Sequence, residues 1–488
     1  MNIFYGYSIH QGVESFMLEI SPKLDTTSSI PLYIQIYEYI KNEILLNQIS
    51  PGTKVPSIRS LASYLCVSKN TINTAYQQLI SEGYLKSNDR SGLFVEDINS
   101  DFFRLDSNPI IKNDTKIFFK KDYKVLYDFS NGQIDQQSFP FIQFKSIISQ
   151  CIDSCHSELL LYGDHQGDYS FLIKISEYLH QSRGVLCSPY EIILGSGTQQ
   201  SLSLLCMLLK KHYSSIGFEN PGYVGARAVF EHHDFKIEPI PLEYDGISVD
   251  ALYESGVKIV YVTPSHQFPA GMVMSISKRL KLLKWAEEVD GIIIEDDYDG
   301  EFRYKGKPIP ALQGLDTSKR VVYLGTFSKS LMPSIRISYQ ILPPKLLNLY
   351  KENLSIYEQP VPRIIQKTLE LFMDKGYWDK HIRRCRVLYK RKHELLIQAI
   401  KDLLDDKVKI IGEDSGLHIL LQVKTELTES ELIQKALEYG VKVNSTSSYW
   451  IGKSTESFPI FPVIFIGFAG IKSEAIYDGI KKLKEAWF

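Results

Sequence analysis

Thr326, Ser328, Lys329 and Arg336 fall within eleven residues, in the stretch Thr326-Phe327-Ser328-Lys329-Ser330-Leu331-Met332-Pro333-Ser334-Ile335-Arg336. Hydroxyls and a guanidinium suit a phosphate dianion. An amine beside them suits an aldehyde, with which it condenses to a Schiff base. A Ser-Lys pair in a polar loop is equally compatible with plain solvation, so a second group of residues has to be weighed with it. Glu295-Asp296-Asp297-Tyr298-Asp299 is a burst of acid that closes an apolar run. Carboxylates in such a place are costly to bury without a cationic partner. A protonated pyridine nitrogen is one such partner; Arg303 or solvent is another.

Both groups need elements to position them. Val321-Val322-Tyr323-Leu324-Gly325 precedes the lysine stretch, and Gly291-Ile292-Ile293-Ile294 precedes the acid burst. Each is short, apolar and rich in β-branched residues, which predicts a buried strand. Further strand-like runs at Ile192-Ile193-Leu194 and Lys258-Ile259-Val260-Tyr261-Val262 alternate with helical segments. That alternation predicts an α/β fold with a mainly parallel sheet covered on both faces. Such sheets bind ligands beyond the carboxyl ends of their strands, where the lysine and the acids lie. Residues 345–404 read as largely helical, and a smaller α/β subdomain follows to Phe488. An amine, a buried carboxylate, a phenol and a phosphate cup are what pyridoxal phosphate requires.

The N-terminal part follows another pattern. Leu32, Tyr33, Ile36, Tyr37, Ile40 and Ile44 line one face of a helix opened by Pro31. Ser50-Pro51-Gly52-Thr53 breaks it. Ser57 caps a second helix and Ser68 a third, which Gly83 ends. The outward face of the third helix carries Lys69, Asn70, Asn73, Thr74 and Gln77, with no acid before Glu82. A polar face free of acid suits phosphates and base edges. A hairpin from Tyr84 to Val95, turning through Asn88-Asp89-Arg90-Ser91-Gly92, completes a winged helix-turn-helix.

Composition bounds the rest. The 488 residues are enough for two or three domains, and a 44% apolar and 23% charged composition is that of an ordinary soluble protein. A net charge of −2 provides no global field for nucleic acid, so DNA binding has to be local. The six cysteines form no CxxC pair, which fits a reducing cytoplasm. Cys151, Cys155 and His156 lack a second ligand pair, and a buried helix face accounts for them better than a metal. No apolar run is long enough to span a membrane. The first sixteen residues show no clear periodicity, and Met17 offers a second start. Residues 98–126 read as a polar linker.

Two sets of motifs carry a family resemblance. Val55-Pro56-Ser57-Ile58-Arg59-Ser60-Leu61-Ala62, with Ser68-Lys69-Asn70-Thr71 and Glu82-Gly83-Tyr84-Leu85, resembles the GntR-type DNA-binding domain. Gly195-Ser196-Gly197-Thr198-Gln199-Gln200, Pro221-Gly222-Tyr223, Thr263-Pro264-Ser265-His266-Gln267-Phe268-Pro269, Glu295 to Asp299 and Thr326 to Lys329 occur in the order of a fold type I, aspartate-aminotransferase-like domain. Together they resemble the MocR/GabR family of regulators over nearly the whole chain. The resemblance implies a tail over 1–27 and a winged helix over 28–97. After the linker it implies an aminotransferase-like domain over 127–488, its small subdomain beginning near 345.

The resemblance also implies roles. Lys329 is the Schiff-base lysine for pyridoxal 5'-phosphate. Asp296 meets the ring nitrogen, although a slip of one residue exchanges it for Asp297. Tyr298 meets the phenolic oxygen and Tyr223 stacks on the ring. Thr198, Gln199, Thr326, Ser328 and Arg336 hold the phosphate. Tyr162 reaches the cofactor phosphate of a partner subunit. Arg59, Ser68, Lys69, Asn70, Thr71 and Arg90 contact DNA. The implied protein is a cytoplasmic, head-to-tail homodimer that binds double-stranded operator DNA and answers to an amine or amino-acid effector, or to the cofactor itself. An active aminotransferase with a DNA-binding appendage is the alternative. Three features depart from the pattern. Phe268 stands where such enzymes carry an asparagine near the phenolic oxygen. The stretch Ile464-Phe465-Ile466-Gly467-Phe468-Ala469 offers no arginine for a substrate carboxylate, and Gly225 stands where an arginine is expected two residues after the stacking tyrosine.

Overall fold

The computed structural model describes residues 20–22, 24–88, 91–98, 123–304, 309–452 and 459–488, apart from the side chain of His156. The chain forms two compact units, Met1–Lys120 and Lys121–Phe488.

In the first unit, helices α1 (Leu32–Leu45), α2 (Ile58–Tyr64) and α3 (Lys69–Ser81) precede a hairpin of β1 (Leu85–Asn88) and β2 (Gly92–Val95). Ser57 and Ser68 cap α2 and α3, their hydroxyls accepting from the Ser60 and Thr71 amides. The three- and four-residue spacing read from the sequence puts Ile36, Tyr37, Ile40 and Ile44 against Ile72, Ala75, Tyr76 and Leu79. The buried Tyr76 hydroxyl donates to the Pro56 carbonyl at 2.9 Å. The hairpin pairs Leu85 with Val95 and Asn88 with Gly92. Ile20, expected to belong to a terminal tail, is 2% exposed within this core. Most of the expected linker, and Met17, lie outside the described residues.

The second unit opens with β3 (Tyr127–Asp128). Its main sheet comprises β4 (Ile192–Gly195), β5 (Ser215–Asn220), β6 (Lys236–Glu243), β7 (Gly246–Ile247), β8 (Ile259–Val262), β9 (Ile292–Asp297), β10 (Val321–Thr326) and β11 (Ser338–Ile341). Their order in the sheet is β4-β11-β10-β9-β8-β5-β6-β7. The run from β10 through β9, β8 and β5 to β6 is parallel. β11 runs antiparallel to both β10 and β4, so β4 points the same way as the parallel run. A smaller antiparallel sheet joins β12 (Val408–Ile411), β13 (His418–Val423), β15 (Asn444–Ser445) and β16 (Val463–Gly467). Between β13 and β15, β14 (Val441–Lys442) leaves that sheet to pair in parallel with β3. The 27-residue helix Tyr377–Leu403 leads into this subdomain. No helix among the described residues is long and apolar enough to cross a membrane.

Candidate functional site

The strand directions bring the carboxyl ends of β4, β5, β8, β9 and β10 to one edge. There they surround a cavity of about 310 Å³. Lys329 follows β10 into it, its Nζ 3.5 Å from Asn131 Oδ1. Burial pushes the Lys329 ammonium below its ordinary proton affinity, and the charge of Asp299 opposes this only in part. A lysine so placed presents more free amine at neutral pH, which is the form that attacks an aldehyde.

The two aspartates that end β9 have different surroundings. Asp296 lines the cavity and is 3% exposed. Its Oδ2 accepts from the Tyr261 hydroxyl, while Oδ1 has no hydrogen-bond partner among the described residues. Burial raises its pKa to about 7; the Tyr261 bond works against the rise, and Asp297, Asp299 and Glu295 add to it. Asp297 is turned the other way. Its Oδ2 accepts from Arg183 Nε at 2.6 Å and from the Tyr323 hydroxyl at 2.8 Å. A buried carboxylate oxygen without a donor, facing a cavity beside a lysine, fits a protonated ring nitrogen.

The opposite wall fits a phosphate. The helix Thr198–Leu209 starts at the cavity, capped by Gly197 at φ 100°. Free amides at a helix N-terminus favour an anion. Arg336, in the left-handed region at φ 54°, donates to the Ser196 carbonyl at 3.4 Å. Thr326, Ser328, Thr198 and Gln199 line the same end. A Cβ built on Gly197 would come within 2.0 Å of an Arg336 terminal nitrogen. Gly197→Ala is therefore expected to expel the guanidinium and weaken retention of pyridoxal phosphate about tenfold or more, read by titrating cofactor-free protein.

Tyr223 and Tyr298 also line the cavity, and Tyr223 meets Phe268 edge-on at 5.6 Å between ring centroids. A Cβ on Gly225 would lie 2.5 Å from the Tyr223 hydroxyl, so this ring position leaves no room for the expected arginine. Tyr162 is not among the lining residues; it is 89% exposed. Sequence reasoning missed Asn131, Tyr261, Asp299 and His418, which also line the cavity. Asp299 lies within the acid burst, and Asn131 in the segment that opens the second unit, so their strings carried a signal. His418 begins an apolar strand and carried none. It stacks on Phe465 at 4.3 Å and meets the Pro269 carbonyl through Nε2 at 2.9 Å; burial, with His266 nearby, holds it well below the usual imidazole range.

In the first unit, Lys69 and Asn70 are exposed on α3 and Arg59 on α2. The Ser68 and Thr71 hydroxyls lie 2.8 Å apart, bonded to each other in the cap of α3. Arg90 lies outside the described residues. Lys54, which the motifs did not single out, extends along the hairpin with its ammonium 5.9 Å from the Phe94 ring centroid.

Comparison with known proteins matches both units. Residues 32–95 match the bacterial regulatory proteins of the gntR family, and residues 124–458 match aminotransferase class I and II. The chain is 44% identical to the HTH-type transcriptional regulator YdeL of Bacillus subtilis (strain 168) over 96% of its own length and 100% of that protein. It is 32% identical to the probable rhizopine catabolism regulatory protein MocR of Rhizobium meliloti, over 95% of each chain. Among solved structures, the multiple substrate aminotransferase of Thermococcus profundus superposes with a TM-score of 0.68 at 25% identity, over 75% of this chain and 92% of that one. The aminotransferase fold implies pyridoxal phosphate, and the orphaned Asp296 oxygen, the glycine-capped helix and the buried lysine fit it. A gntR-family reader of DNA joined to an aminotransferase-like domain, with relatives of the same layout along nearly the whole chain, places this protein among the MocR-type transcription regulators.

Proposed function

We propose that the second unit senses an amine or amino-acid effector, or the supply of pyridoxal phosphate, through Lys329. The observation that carries this reading is the meeting, in one cavity, of a lysine with lowered proton affinity and a buried carboxylate with an unpartnered oxygen. The bound cofactor supplies an electrophilic carbon and an electron sink. Lys329 anchors it, Asp296 holds a proton at its ring nitrogen, Tyr298 meets its phenolic oxygen and Tyr223 covers its face. Thr198, Gln199, Thr326, Ser328 and Arg336 hold its phosphate. An effector shifts DNA binding only through different affinities for two arrangements of the protein.

The working form is a cytoplasmic head-to-tail homodimer in which Tyr162 reaches the partner's phosphate cup. Support comes from the exposure of several large apolar side chains. Ile142, Leu160, Leu161, Tyr162 and Ile356 are each at least 65% exposed, and side chains of this kind suit burial against a second copy. On DNA, Arg59, Ser68, Lys69, Asn70, Thr71 and Arg90 form the contact set, Ser68 and Thr71 by shaping the start of α3. Lys69→Ala is expected to weaken operator binding and to lower the slope of log affinity against log salt by about one counterion. An unchanged slope removes Lys69 from the phosphate contacts.

The experiment that tests the sensing reading is the visible absorption of the cofactor-loaded protein, titrated with amines and amino acids. A compound that shifts the band to a lasting new position, and changes operator affinity, is the effector. A band lost to one amino donor and restored by a keto acid shows turnover and the aminotransferase alternative. No response to any amine, with operator affinity following pyridoxal phosphate alone, leaves the cofactor as the signal.

A further inference from the structure

Phe268 removes a hydrogen-bond donor from the region of the cofactor's phenolic oxygen, and the structure shows what stands in its place. His266 Nδ1 lies 2.8 Å from the Tyr298 hydroxyl, and 2.9 and 3.2 Å from the two carboxylate oxygens of Asp299. Both His266 and Asp299 are 2% exposed. His266 Nε2 is buried and has no hydrogen-bond partner among the described residues. An orphaned N–H is rarer in protein interiors than an orphaned acceptor, so the ring proton belongs on Nδ1. An ionised carboxylate only accepts, which selects the same tautomer. The Nδ1–H is then shared between Asp299 and the Tyr298 oxygen. Because that oxygen accepts, its own hydrogen is free to point into the cavity. In the opposite tautomer Tyr298 would donate to His266 and have no proton left to offer.

We infer that His266 and Asp299 are a positioning pair that holds Tyr298 as a hydrogen-bond donor toward the cofactor, replacing the donor that Phe268 cannot supply. The inference rests on Lys329 being the cofactor's anchor. The charged and titratable groups around Tyr298 are Asp296 of β9, Asp299 beyond it, Glu219 of β5, His266 and, across the cavity, Lys329 and His418, with Asp297 of β9 acting on it from the far side of the strand.

The test uses cofactor-loaded, full-length protein and follows the pH at which the cofactor's visible band changes. A donor lost at the phenolic oxygen leaves its negative charge less stabilised, so the neighbouring proton is held more tightly. His266→Ala is expected to raise the transition by about one pH unit, in the same direction as Tyr298→Phe. His266→Asn, whose amide can donate, is expected to recover part of the shift, which a merely space-filling role would not produce. A Cβ on Gly416 would sit 1.8 Å from His266 Cε1, so the site accepts smaller side chains better than larger ones. Thermal melts establish which variants are folded, and His266→Leu replaces the alanine variant if that one is not. An unchanged or lowered transition in the donor-free variant, beside a raised one in Tyr298→Phe, overturns the proposal. Absence of a borohydride-fixed adduct at Lys329 in the unmutated protein defeats the anchor reading instead.

Discussion

Lys329→Ala is expected to abolish covalent attachment of pyridoxal phosphate while leaving the fold in place. The side chain reaches the cavity from the loop after β10, and among the described residues its Nζ has one hydrogen-bond contact, to Asn131 at 3.5 Å. Truncation therefore enlarges a space that is already open and strands no buried partner, so the stability cost is that of a surface-like change, within about 0.5 kcal/mol. Attachment is expected to fall completely, because no second amine is present among the described residues lining the cavity. Borohydride reduction followed by peptide mass mapping reads the outcome. The unmutated protein should carry the adduct on the peptide containing residue 329, and the variant should carry none. An adduct that persists in the variant assigns the anchor to another lysine.

The second large effect separates two neighbouring aspartates. Asp297→Asn leaves Arg183 as a buried guanidinium without its carboxylate; their side chains are 2% and 5% exposed. Removing one partner of such a pair typically costs about 3–5 kcal/mol, which urea denaturation of the cofactor-free protein would show as an earlier midpoint. Asp296→Asn should do the reverse. Its carboxyl has a pKa of about 7 in the folded protein against an ordinary 3.8. Between those values the folded state holds a proton that the unfolded state has released, so stability falls as pH rises from about 4 to about 7. The asparagine variant is expected to lose that part of the pH dependence, keep its denaturation midpoint or raise it near pH 7, and bind cofactor poorly. An Asp296 variant as unstable as the Asp297 variant would show that the two roles had been exchanged.

That pair also shows where sequence reasoning stops. Successive residues of a strand face opposite sides of the sheet, so only one of Asp296 and Asp297 meets a given layer. Parallel strands are buried on both faces, and their apolar runs carry no alternation from which to read the side. The helices of the first unit were easier. Their three- and four-residue spacing and their serine caps are local, and α1 to α3 lie where those signals put them. Lys329, Arg336 and the glycine-capped helix were legible because each sits directly after or before a strand. The remaining cavity wall was not. Asn131 meets Lys329 across nearly two hundred residues, and His418 pairs with Gly467 in another sheet. Neither neighbour is foreshadowed by local pattern. His266 stood inside a quoted motif, but its partners Tyr298 and Asp299 belong to a different one.

The pairing of β3 with β14 has a consequence in time. The chain that leaves the first unit becomes fixed at 126–129, where backbone bonds run to Gly440 and Lys442. Roughly 310 residues separate the two strands. At ribosomal rates of about 5–20 residues per second, that is on the order of 15–60 s of synthesis. The helix-turn-helix is fully translated before that interval begins, and throughout it β3 has no partner strand. A nascent chain that stalls before residue 440 therefore carries a translated reader while β3, at the start of the second unit, still has no partner strand.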